Sequence, residues 1–241
     1  MLNLHRHPLR GSLALAIIAV AALAPLLAAQ NPDMQQKVAE IKEALAANKQ
    51  ALAQYTWVEQ STISLKGEQK KQEHFQVRLG PDGKPQKTSL DSQAAPAEPS
   101  GRRLKQHVVE KKKEEFKDYA DQIKALVQQY LPPDKERIEE ARQKGNISVG
   151  PAAGGEGQYQ LVISNYVKPG DKMTLVFDRT QKSIVSLSIA SYLDDPKDAV
   201  TVDAQFSRIP GGPNHVASET INGASKHLTI AVQNSDYQKI S

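Results

Sequence analysis

The sequence has 241 residues, 39% hydrophobic and 24% charged, with no cysteine. Disulfide and thiolate chemistry are thereby excluded, and the chain is long enough to build a core without them. The formal net charge is +4, but Arg6 and Arg10 fall in a predicted leader, and without them it is +2. Bulk attraction to nucleic acid or another polyanion finds no support in so small a charge.

Met1–Arg10 is short and positive, and Leu13–Ala29 is an uncharged run rich in Ala and Leu. This is the order of a secretory signal, and the run is shorter than the ~20 residues of a membrane span. The expected division is a signal over residues 1–29 and one α+β domain over 30–241, exported and not transmembrane after cleavage. Asp33–Gln54 follows, with Met34, Val38, Ile41, Leu45 and Leu52 at helical spacing. Tyr55–Leu65 and Glu68–Leu79 predict a hairpin across Lys66-Gly67, because Phe75, Val77 and Leu79 alternate with polar residues. Gly80–Arg103 is rich in Pro, Gly, Ser and Lys and predicts a long exposed loop.

Lys105–Leu131 carries Val109, Phe116, Tyr119, Ile123, Leu126 and Tyr130 as one apolar seam, the pattern of a long amphipathic helix. Pro132-Pro133 stops it, and Pro133-Asp134 opens a short helix that runs through Lys144 to Gly145. From Asn146 the period becomes two, as in Met173, Leu175 and Phe177, or Val200, Val202, Ala204 and Phe206. Turn clusters such as Lys168-Pro169-Gly170-Asp171 and Asn222-Gly223 separate these runs, so the strands join as antiparallel neighbours. The expected fold is α+β: a curved antiparallel sheet or incomplete barrel packed over two or three helices, wet on its other face.

Candidate chemistry is sparse. A turn over Asn222–Ser225 places His227 opposite Ile221 and keeps it far from His215, so these two cannot share a metal; His74, His107, His215 and His227 are all expected in solvent. No G-x-S-x-G or S-x-x-K spacing supplies a nucleophile, and Asp194, Asp195 and Asp198 surround Pro196 as turn residues do. Neither a catalytic set nor a cofactor or metal site is expected. A cleft between sheet and helices is the remaining site, with Trp57, Phe75, Phe116, Tyr119, Phe177 and Phe206 as candidate ligand-binding side chains. The same six residues suit a filled core equally well.

The order of helix, strand pair, helices and meander, with Met173–Asp178 and Ile184–Ala190 before Val200–Arg208, resembles the LolA/LolB-like superfamily of periplasmic lipoprotein carriers. That resemblance implies a periplasmic protein with an apolar cavity for a lipid or lipoprotein acyl chain, and no catalysis. The alternative is a cell-envelope structural or interaction protein that uses the Gly80–Arg103 loop or an edge strand to pair with a partner. An enzyme needs perturbed carboxylates or histidines gathered in one pocket.

Overall fold

The computed structural model describes residues 46–91, 103–131 and 133–240. The leader over residues 1–29, the beginning of the first predicted helix, and residues 92–102 of the predicted loop lie outside these. Residues 46–52 are helical (α1). The remaining elements are β1 (Tyr55–Leu65), β2 (Glu68–Leu79), β3 (Pro85–Ser89), α2 (Arg103–Val127), α3 (Lys135–Gln143), β4 (Ile147–Pro151), β5 (Gln158–Ser164), β6 (Lys172–Asp178), β7 (Ser183–Tyr192), β8 (Ala199–Arg208), β9 (Asn214–Gly223) and β10 (Leu228–Lys239).

All ten strands form one sheet in the order β3-β2-β1-β10-β9-β8-β7-β6-β5-β4. Every neighbouring pair is antiparallel. Sequence neighbours pair throughout except at the β1–β10 joint, which brings the two arms together; β3 and β4 remain as edges, so the sheet is open. Irregularities at Thr56/Val58, Ile63/Ser64, Val176/Phe177 and Gln205/Phe206 add twist and bend it. The expected α+β architecture, a curved antiparallel sheet over a few helices, is the one observed.

One face is covered. Val200, Val202 and Ala204 of β8 are buried while Asp203 and Gln205 are exposed, the alternation of a half-wet sheet. Tyr119, Ile123, Leu126 and Val127 of α2, with Ile138 and Ala141 of α3, pack on Ile163, Met173, Leu187, Val202, Ile221 and Ile230. Each such side chain fully removed from water is worth ~1.5–3 kcal/mol. A second, smaller cluster joins Leu52 to Trp57, Val77 and Leu79 at the β1–β2 end.

Helix ends follow the sequence chemistry. Asp134 caps α3 by accepting the Arg137 amide at 2.9 Å, and Gly145 at φ 71° ends it. After α2, Tyr130 donates its hydroxyl proton to Asp171 at 2.5 Å. Asp171 also accepts the amides of Tyr166, Val167 and Lys168 at 2.6 to 2.8 Å. This buried carboxylate locks the chain after α2 to the β5–β6 turn.

Three details correct the sequence reading. Residues 85–89 are a strand rather than loop: β3 is an edge strand whose ladder bonds need no apolar residues, so no hydrophobic period marks it. Gly223 ends β9 instead of forming the turn, which is Ala224–His227, and Ile230 stands opposite Ile221. A Cβ at Gly223 would lie 2.5 Å from Ile123 Cδ1 and 2.7 Å from Tyr119 Oη, so the glycine serves the close approach of α2 to the sheet. His215 is buried against Tyr237, with ring centroids 4.1 Å apart, and not solvated.

Candidate functional site: a cleft under the first helix

The covered face extends past the reach of α2. At the level of Ala204, the residues in register across the sheet are Ser61, Val232 and Glu219, and one step on, Glu59 faces Asn234. This stretch lies under α1, leaving a cleft of about 700 Å³. Asn48 holds α1 over it through a reciprocal pair: its amide donates to the Asn214 carbonyl at 2.9 Å and its oxygen accepts the Asn214 amide at 2.6 Å. Asn214 in turn donates to the Ile184 carbonyl at 2.9 Å, so the loop before β9, the start of β7 and α1 form one frame.

Leu52, Trp57, Ile184, Phe206, Val216 and Val232 make the walls apolar. Trp57 stacks on Tyr237 with centroids 5.6 Å apart and planes 18° from parallel. Lys49, Lys182, Arg208 and Lys239 stand exposed around the mouth, and none is in an ion pair among the described residues.

The interior is not apolar throughout. Lys87 of β3 reaches inward and its Nζ lies 2.6 Å from Glu59 Oε1, with both side chains largely removed from water. Burial pushes the Lys87 ammonium below its ordinary range, and the Glu59 carboxylate offsets part of that. Glu219 is 2% exposed. Burial first, then the neighbouring Glu59 charge, pushes its carboxyl up to about 8 against the pull of Lys87, so at neutral pH it is a carboxylic acid. Burial likewise pushes His215 down, partly countered by its contact with the Val216 carbonyl. Three buried polar atoms here have no hydrogen-bond partner: Trp57 Nε1, Glu219 Oε1 and Asn234 Oδ1.

Of the six aromatic candidates, Trp57 and Phe206 line the cleft. Phe75 packs beside Trp57 in the smaller cluster, whereas Phe116, Tyr119 and Phe177 belong to the main core beneath α2. Glu59, Lys87, Glu219, Asn234 and Tyr237 were not singled out from sequence, and His215 was weighed there only as a solvated histidine. A signal existed for Glu219, which shares the inward parity of Ile221, and for Glu59, which lies between Trp57 and Ser61 on that parity. Nothing marked Lys87. Among the described residues no group of three or more His, Asp or Glu could hold a metal ion, and no helix is long and apolar enough to cross a membrane.

No protein-family model and no curated protein matches the sequence. Among solved structures, the chain is similar to a DUF1329 family protein from Desulfovibrio piger, with a TM-score of 0.38 and 8% identity over 83% of this chain and 92% of that one. It is also similar to a LolA superfamily protein from Nitrosomonas europaea, with a TM-score of 0.36 and 11% identity over 84% of this chain and 92% of the other. These are likenesses in the course of the chain, and no ligand or partner passes from them to this protein.

Proposed function

We propose that this chain is an exported, non-catalytic binding protein that holds an acyl chain in the cleft between α1 and the sheet. The observation that carries the reading is a cleft of about 700 Å³ with apolar walls, within the size range of small-molecule sites. Affinity comes from removing ligand surface from water at ~25 cal/mol per Å². The periplasm as the compartment, and a lipid or lipoprotein as the source of the chain, belong to this proposal.

The test is purification of residues 30–241 without detergent, followed by native and denaturing mass spectrometry and titration with dansylundecanoate. Stoichiometric bound lipid, or uptake with a change in emission of Trp57, the single tryptophan, is the expected result. Protein that is ligand-free and takes up no probe rejects the carrier reading and leaves the envelope-partner alternative, with β3 or β4 as the pairing edge.

Glu59 and Glu219 in one cleft favour a second reading, acid–base catalysis, since one carboxylate is charged while the other keeps its proton. Glu59 is already engaged by Lys87 through Oε1, which makes this the weaker account. Recovery of chemically changed ligand would reverse that ranking.

A further inference from the structure

We infer that the rim of the cleft is a headgroup site for an anionic amphiphile, which binds with its chain on the apolar walls and its phosphate or carboxylate outside, among Lys49, Lys182, Arg208 and Lys239. This rests on the carrier reading and adds to it the class of ligand and the direction in which it lies.

The charges of the cleft are sorted by depth. Two acids line it, Glu59 and Glu219, and both are buried. The exposed charged residues of the lining are Lys49, Lys182, Arg208 and Lys239, all of them cations. They come from α1, the β6–β7 turn, β8 and β10, so the fold and not a local run of sequence gathers them. Lys49 lies against the β2–β3 turn, where a Cβ at Gly83 would meet its Nζ at 2.9 Å. Arg208 donates Nη2 to the Gln181 carbonyl at 2.8 Å, which sets its guanidinium beside Lys182 with further N–H groups to offer. Lys239 closes β10 opposite Tyr55.

No acid of the lining answers these four at the surface. Asp178, the acid nearest Lys182 in sequence, is buried and accepts the Thr180 and Gln181 amides at 2.8 and 2.9 Å. Cations gathered at one opening repel one another, and an anion placed among them relieves that repulsion. A chain with a net charge of only +4 has no general excess that would put them there.

Depth also sets the direction of binding. An anionic head drawn inward would give up its water beside the Glu59 carboxylate, whereas at the rim it keeps its water and meets cations. The far end of the chain then lies against Trp57, Ile184, Phe206 and Val232. A neutral head gains nothing from the rim, and a quaternary ammonium is repelled by it.

The test uses a neutral probe, N-phenyl-1-naphthylamine, displaced by dodecyl phosphate, dodecanol and dodecyltrimethylammonium below their micellar concentrations. The wild type is expected to prefer the phosphate over the alcohol about tenfold in low salt, the sum of several exposed ion pairs of modest strength, and to bind the ammonium weakest. Between about 20 mM and about 0.5 M NaCl the screening length falls from ~20 Å to ~4 Å, and the preference should shrink to twofold or less. Inorganic phosphate at the same concentration should displace nothing, and displacement by it overturns the need for a chain. The variant Lys49→Gln/Lys182→Asn/Lys239→Gln should lose the preference; asparagine suits the positive φ of 48° at position 182. Lys70→Gln/Lys144→Gln/Lys226→Gln removes equal charge from exposed positions outside the cleft and should keep it. Equal loss in both variants overturns the rim as a local site. If the rim variant does not fold, the salt dependence of the wild type decides. Equal binding of phosphate and alcohol by the wild type overturns the headgroup site and leaves the carrier reading intact. Failure of every amphiphile and of the probe overturns both.

Discussion

Glu219 is held in a state that its own chemistry resists. A glutamate in water titrates near ~4.3, whereas this one keeps its proton up to about 8. Between those values only the folded chain holds the proton, so stability contributed by Glu219 is complete at acid pH, declines as pH rises, and is gone above about 8. His215 has the opposite sign, because its lowered value makes the unfolded chain the better proton acceptor on the acid side of ~6.5. The clean window is therefore pH 7 to 8. Thermal melts of wild type should lose midpoint across that window relative to Glu219→Gln, and parallel curves would show that the carboxyl is solvated. Gly223 acts by size alone: Gly223→Ala should cost ~1–3 kcal/mol in urea unfolding, because Ile123 and Tyr119 already fill the space. Alternation along β9 marks its buried face, but it cannot say that one buried residue is an acid without a partner. Gly223 was legible as a glycine that matters, though for a turn it does not make.

Periodicity located the elements, although α2 ends at Val127, four residues before the expected Leu131. β1 and β2 occupy the predicted bounds Tyr55–Leu65 and Glu68–Leu79, and α3 lies between its predicted cap Asp134 and Gly145. β3 was not readable, since Pro85-Gln86-Lys87-Thr88-Ser89 has no apolar residue and joins the sheet through backbone bonds to β2 alone. Its omission from the reading concealed Lys87, and with it the ion pair made by Glu59 of the cleft wall. Long-range hydrogen bonds between elements escaped for a related reason: a tyrosine or asparagine shows no period. Tyr130→Phe removes one of the four donors to buried Asp171 and should destabilise the fold by ~1–3 kcal/mol with no change in helix content. Asn48→Ala leaves Asn214 without its reciprocal partner and frees α1 from the β8–β9 connection. Its expected signature is weaker retention of dansylundecanoate at nearly unchanged melting midpoint, and unchanged retention would show that α1 is held by other contacts.

At the scale of the whole molecule, two clusters of unequal size share one sheet. The large one fastens α2 and α3 to β5–β10, while the small one fastens α1 to β1 and β2 through Leu52, Trp57, Val77 and Leu79. Local opening follows the thinner core. Backbone amides of β2 and β3 should exchange with solvent faster than those of β8 and β9, and uniform protection would argue for a single cooperative unit. Among the described residues the expected order of helix, strands, helices and meander is found with β3 added before α2, because that order follows from turn spacing and the helical seam. The cleft was not implied by any of these, since its walls come from parts of the sequence far apart. β1 supplies Trp57 and Glu59, and β10 supplies Val232, Asn234 and Tyr237. A ribosome adding about 5–20 residues per second needs roughly 10 to 35 s to pass from one strand to the other. Throughout that interval the outer margin of β1 waits for a strand not yet made, so the cleft exists only once β10 has been synthesised and paired.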